Sequence, residues 1–261
     1  MFVDSHCHLE MESFDQDRDK VVERSLKEGL AYLLTVGTEE SYFKKVVEIV
    51  EKYDRVYGAI GIHPHESTAF NEKMAATIRG YLTHPKVVGY GEVGLDFFKN
   101  YSPKDVQIKA FREQLSLAKS LGFPVIVHSR SAKEETLHIL KEAYGNEAWG
   151  VIHCYSYDWN TAKKLLDMGF YISIPGTITY ANAKESAEVV RNIPMDRLLA
   201  ETDAPFLTPV PHRGKRNEPS YVKLTIEKIS EIKNRDVQEI ASILHDNFLK
   251  AFPKVQTGGA A

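Results

Sequence analysis

Eight short apolar runs divide this chain into units averaging about 28 residues, and that regular spacing limits the fold more than any other feature of the sequence. The runs cover residues 2–4, 31–36, 56–62, 87–92, 125–128, 150–153, 170–174 and 197–201. Between them lie stretches whose apolar residues recur with a helical period, among them 41–53, 103–121, 133–144, 161–168 and 184–193. Buried strands alternating with helices predict a parallel sheet, either open and doubly wound or closed into a barrel. The runs are similar in length, and no Gly-x-Gly-x-x-Gly follows the first of them, so the expectation is an α/β chain folded as a (β/α)8 TIM barrel. The helix at 103–121 has the clearest bounds, with Ser102 as its expected N-cap, Pro103 in its first turn, Gly122 at its end and Pro124 beyond. A Pro-rich loop over 204–219 precedes two further helices, 222–233 and 237–252. With no linker rich in Gly, Pro or Ser, residues 1–255 read as one domain and 256–261 as a frayed tail.

Several runs end in a side chain of metal-ligand type. The first leads into Asp4-Ser5-His6-Cys7-His8, and later ones deliver Glu92, His128, His153 and Asp203. Strand side chains alternate faces, so His6 and His8 are expected to point one way and Cys7 the other, with Asp4 on the histidine face as a hydrogen-bond acceptor or a buried strand start. In a barrel of this type catalytic groups gather where strands end at the C-terminal face. Packing alone gives no reason to finish buried strands with His, Glu and Asp. Four histidines and two acids exceed the needs of one tetrahedral ion, which points to two divalent ions. Glu92 lies among glycines that would leave room for an ion, and its two oxygens suit a bridge; Asp203 is placed both to bind an ion and to take a proton from the attacking water. Asp96 reads as a loop or helix cap, while His84, His138 and His245 read as ordinary structural histidines.

Composition narrows the partners. With 36 acids against 33 bases the net charge is −3, so no global positive field marks a nucleic-acid binder and any phosphate-binding surface must be local. The two cysteines, Cys7 and Cys154, are expected to be unpaired thiols of a reducing compartment. No secretory signal is visible at the start, and the longest uncharged run, 168–183, is too short and polar to span a bilayer, so the expected location is the cytoplasm, without membrane or obligate protein partner. Local cations do occur on the loops following the candidate ligands: Arg130 after His128, then Arg213 and Arg216 after Asp203. Guanidinium groups near a metal pair suit a phosphodiester better than a neutral amide. His63, at the end of the third run, is a further candidate for substrate contact, and His65 lies further out.

Taken in order, Asp4-Ser5-His6-Cys7-His8, Gly61-Ile62-His63-Pro64-His65, Gly91-Glu92-Val93-Gly94-Leu95-Asp96, Val127-His128-Ser129-Arg130, His153-Cys154-Tyr155 and Glu201-Thr202-Asp203-Ala204-Pro205 resemble the TatD family of metal-dependent deoxyribonucleases. The likeness continues through Arg213-Gly214-Lys215-Arg216-Asn217-Glu218-Pro219 and spans nearly the whole chain, about 2–247. It implies a TIM barrel of the metal-dependent hydrolase type. It also implies that His6, His8, Glu92 and Asp203 hold one ion while Glu92, His128 and His153 hold the other. The implied substrate is DNA, especially single strands and 3' ends, with D-aminoacyl-tRNA as a variant within the family. The ligands do not distinguish Zn, Mg, Mn or Ni. A cyclic amide or lactone hydrolase on the same scaffold is the alternative, weakened because many such enzymes bridge their metals with a carboxylated lysine and no lysine follows Glu92 until Lys99. A structural metal cluster fits less well, since such sites usually draw on local Cys and His pairs.

Overall fold

Every apolar run becomes a parallel strand in the computed structural model, which describes residues 1–256. The strands are β1 (Phe2–Cys7), β2 (Leu30–Gly37), β3 (Val56–Ile60), β4 (Val87–Asp96), β5 (Val125–Arg130), β6 (Gly150–Ile152), β7 (Tyr171–Ile174) and β8 (Leu198–Ala200). They pair in sequence order, β1 through β8, each parallel to the next. Alternating with them are α1 (Arg18–Lys27), α2 (Glu40–Lys52), α3 (Glu72–Tyr81), α4 (Lys104–Leu121), α5 (Lys133–Tyr144), α6 (Trp159–Met168) and α7 (Lys184–Asn192), followed by α8 (Val222–Lys233) and α9 (Val237–Ala251). This is the expected (β/α)8 barrel. Most of the expected tail, 257–261, lies outside the described residues. No helix among those described is long and apolar enough to cross a membrane.

The seam between β1 and β8 is closed largely by polar groups. Ser5 Oγ bonds the Ala200 carbonyl at 3.0 Å, Asp4 accepts from Thr202 N at 2.9 Å and from its hydroxyl at 2.5 Å, and two backbone bonds, Asp203 N to His6 O and His8 N to Ala204 O, finish the join. Asp4 is therefore a buried clasp across the seam. Burial pushes its carboxyl well above the usual range even though Thr202 bonds to it.

Of four register shifts in the described sheet, two lie beside the candidate donors. Between Asp4 and Cys7, β1 gains a residue relative to β2, and between Tyr90 and Val93 β4 gains one relative to β5. Such bulges re-aim side chains. Ser5 reaches across the barrel to Ser173 Oγ at 3.0 Å, while the next residue, His6, stacks on His153 at 3.9 Å, so two consecutive residues face inward. The face shared by His6 and His8 therefore does not extend back to Asp4. Cys7 does turn away, its thiol buried toward the Leu34 carbonyl.

Two boundaries and two whole helices also differ from expectation. Ser102 does not cap α4: Pro103 is its N-cap, and Ser102 Oγ instead bonds the His65 carbonyl at 2.8 Å; the far end closes as expected at left-handed Gly122, φ 67°. Neither α1 nor α3 is evident from period; α1 is so rich in charge that only Val21, Val22 and Ser25 are buried. Finally, β8 stops at Ala200, so Asp203 stands on the loop beyond it. The opposite end of the barrel is covered by α9, whose Phe248 and Phe252 pack beneath Val3, Leu34, Val88 and Ile126. Trp149 secures it there by donating Nε1–H to the Ala251 carbonyl at 3.1 Å.

Candidate metal centre

Glu92 is the hub of the C-terminal face. It is buried on β4 within the register shift, and its two oxygens face different neighbours. Oε2 lies 3.4 Å from His6 Nε2 and 3.9 Å from His8 Nε2. Oε1 lies 2.7 Å from His128 Nδ1, 2.9 Å from His153 Nε2 and 3.5 Å from His63 Nε2. The glycines around it serve the backbone rather than an incoming ion. At Gly91, φ 156°, an added Cβ would come within 2.7 Å of the Ile126 carbonyl oxygen, and at Gly94 it would collide with that of His128, so both let β4 lie close against β5.

Asp203 completes the first group, with Oδ1 3.4 Å from His8 Nε2 and 3.9 Å from His6 Nε2. Its backbone is left-handed, φ 57°, a region Asp tolerates better than most residues. Asn217 holds this turn by donating Nδ2–H to the Thr202 carbonyl at 2.9 Å and the Phe206 carbonyl at 2.6 Å.

These spacings are those of metal coordination. Donors about 2.1 Å from a common ion at tetrahedral or octahedral angles lie about 3.0–3.4 Å apart. His6 Nε2 and His8 Nε2 are 3.3 Å apart, and each has a carboxylate oxygen at 3.4 Å. Among the described residues, three sets of side chains have donor atoms all within 4.8 Å of one another: His6, His8 and Asp203; His63, Glu92 and His128; and His6, His153 and Glu201. In the third set Glu201 lies behind His153, 3.2 Å from Nδ1, so it supports the ring that turns Nε2 to Glu92. The donor chemistry fits a divalent ion.

Electrostatics point the same way. Burial works against the Glu92 carboxylate, but His153, His63 and His128 hold it well below the usual range. Burial likewise disfavours charge on His8 and His153, yet Asp203 and Glu10 around the one, and Glu92 and Glu201 around the other, raise both well above an ordinary imidazole. Acids crowded against buried imidazoles make a negative environment that suits a cation. His6 is lowered by burial and by His153, and burial pushes His63 down to about 4.

Three acids do more than the sequence shows; one of them, Asp96, is also the expected loop cap, its Oδ1 accepting from Phe98 N and Lys99 N. Glu201 also accepts the Cys154 N–H at 2.6 Å, and Glu10 lies 3.1 Å from His8 Nδ1, whose second neighbour is the Val36 carbonyl at 2.9 Å. Asp96 is a buried bridge, with Oδ2 3.0 Å from His65 Nε2 and 3.3 Å from His128 Nε2. Burial opposes its charge, but bonds from His128, the Lys99 N–H and His65 keep it below its usual range. Its spacing behind Glu92 was the available clue.

Above the donors opens a cavity of about 720 Å3, lined among others by His63, Lys99, Arg130, Asp203 and Phe206. Arg213 and Arg216 do not line it. Arg213 lies over the Tyr180 ring at 4.5 Å, and Arg216 covers Phe14 and grips Asp17 through two bonds of 2.8 and 2.7 Å. His84, His138 and His245 lie elsewhere, beside Glu51, Glu142 and Tyr32.

A parallel barrel with clustered imidazoles and carboxylates at its C-terminal face is the architecture of metal-dependent hydrolases. The family model described as "TatD related DNase" matches residues 3–253, and the chain belongs to this TatD family as one of its metal-dependent hydrolases. Its relatives include the uncharacterized metal-dependent hydrolase YabD of Bacillus subtilis, 44% identical over 97% of this chain and 99% of that one. The 3'-5' ssDNA/RNA exonuclease TatD of a Rahnella strain is 35% identical over 94% of this chain and 95% of that protein. Among solved structures, the TatD homologue YjjV of Escherichia coli superimposes with a TM-score of 0.91 at 30% identity, covering 97% of this chain and 98% of that one.

Proposed function

We propose that this chain hydrolyses phosphodiester bonds in DNA at a centre of two divalent ions that share Glu92. The observation carrying this reading is the division of Glu92: one oxygen faces His6 and His8, beside Asp203, and the other faces His63, His128 and His153. His6, His8, Glu92 and Asp203 would hold one ion, and Glu92, His128 and His153 the other. When bound, such ions polarise a phosphoryl oxygen and make water acidic enough to attack at neutral pH. Asp203 borders the cavity with its side chain 14% exposed, so it meets incoming water and accepts its proton. Lys99 and Arg130 in the cavity wall attract an anionic diester more than a neutral cyclic amide. The name of the Rahnella relative supports nucleic acid as substrate, with single strands and 3' ends the preferred form.

The test pairs metal analysis with hydrolysis. Wild type is expected to bind two ions per chain and to degrade single-stranded DNA with Zn2+, Mn2+, Mg2+ or Ni2+; Glu92→Ala loses both properties. Wild type that spares DNA with every metal, yet opens a dihydropyrimidine or deacylates a D-aminoacyl-tRNA, would overturn the nuclease reading.

A further inference from the structure

The loop between β4 and α4 carries two large aromatic side chains that the barrel does not use. Phe98 is 60% exposed and Tyr101 67%, whereas the other aromatic side chains, Phe206 apart, are buried or half-buried. Both lie beside the cavity. Lys99, between them in sequence, lines it, and so does Arg130, whose guanidinium sits 4.1 Å from the centre of the Phe98 ring. Tyr101 meets His65 edge to face at 4.7 Å, and Asp96 ties His65 to His128 in the donor cluster.

The loop is fastened at both ends. Asp96 Oδ1 accepts the N–H groups of Phe98 and Lys99 at 3.0 and 2.8 Å, and Ser102 Oγ donates to the His65 carbonyl. Two exposed rings on an anchored loop, with cations beside them, form a surface that loses little freedom when a flat, anionic ligand stacks on it. Nucleobases offer π-faces and their phosphates offer negative charge. A duplex keeps its bases stacked inside, whereas a single strand presents them.

We propose that Phe98 and Tyr101, flanked by Lys99 and Arg130, form a stacking platform for the unpaired bases next to the phosphodiester in the cavity, so that the enzyme selects single-stranded over duplex nucleic acid. This rests on the phosphodiester reading of the metal centre. Arg130 then serves twice, facing the strand's phosphates and backing the Phe98 ring.

The experiment uses full-length, metal-loaded protein and short DNA single strands, with affinity read by fluorescence anisotropy and hydrolysis by product analysis. Phe98→Ala and Tyr101→Ala should each weaken binding of a normal strand by about tenfold or more, the range seen when one stacked base loses its aromatic partner. Phe98→Trp should restore it. A strand made abasic beside the cleaved bond should bind wild type as weakly as the normal strand binds Phe98→Ala, and should lose little more when Phe98 is removed. Duplex binding should change far less than single-strand binding. Equal affinity of wild type and both alanine variants for the normal strand overturns the platform, cleavage or not. So does an equal loss on normal and abasic strands. Strand binding that depends on the aromatics, with no cleavage under any metal, supports the platform and overturns the phosphodiester reading instead.

Discussion

Glu201 stands behind His153, with Oε1 3.2 Å from Nδ1 while the same imidazole turns Nε2 toward Glu92 at 2.9 Å. The pair is held by proximity of charge rather than a well-aligned bond, since His153 Nδ1 and Glu201 Oε2 are left without hydrogen-bond partners. Glu201 is itself fixed by the Cys154 N–H. A buried acid in this position favours the proton on Nδ1 and raises the basicity of the nitrogen facing Glu92.

Replacing that charge while keeping the shape isolates this role. Glu201→Gln should leave the protein folded and weaken metal binding about 10–100-fold. Competition with a chromophoric chelator measures it, and unchanged affinity would show that Glu201 is a packing residue.

Asn217 bridges two carbonyls around the left-handed turn of Asp203, and its side chain is buried. Asn217→Ala leaves those carbonyls unpaired, so urea denaturation should reveal a loss of about 1–3 kcal/mol. Metal affinity should fall with it, because Asp203 loses its support. Full stability in the variant would contradict the clamp.

Metal removal should be felt by the whole barrel, since the donors lie on or beside β1, β4, β5, β6 and β8. If each ion is present at about a thousandfold its Kd, stripping one removes about 4 kcal/mol. For a chain of this size that lowers Tm by about 8–16 °C. Calorimetry before and after chelation tests it, and a Tm that does not move would mean that these donors hold no ion.

Arg130 and Arg216 should part company under mutation. The Asp17 carboxylate already occupies Arg216 on a solvated surface, so Arg216→Ala should cost about 1 kcal/mol or less of stability and change KM for a DNA strand little. Arg130→Ala should raise that KM by a larger factor. Steady-state kinetics on both variants decide the matter, and the opposite order would restore Arg216 to the substrate site.

What was legible in the sequence was whatever repeats. The apolar runs place β1 to β8, and donors lying at or near their ends place His6, His8, Glu92, His128 and His153, because a parallel barrel gathers those ends on one face. The bulges in β1 and β4 have no such signature. A one-residue insertion changes the facing of Ser5 and His6 without changing the composition of either strand. Asp96 and Glu201 were obscured for a related reason: what matters in each is the imidazole it reaches from another part of the chain. Glu10 is local, two residues from His8, but lies past the end of the first apolar run, where no period marks it. Arg213 and Arg216 show the converse. Nearness to Asp203 along the chain did not bring them into the cavity, because a turning loop carries them over Tyr180 and Phe14.

The polar seam between β1 and β8 sets an order of events during synthesis. His6 and His8 leave the ribosome well before the groups that lock their strand, Ala200, Thr202 and Ala204, which arrive together with Asp203. Until then β1 has β2 on one side and an open edge on the other. A nascent chain therefore carries an unfinished pair of imidazoles until residues 200–204 are made, and assembly of the complete donor set coincides with closure of the barrel.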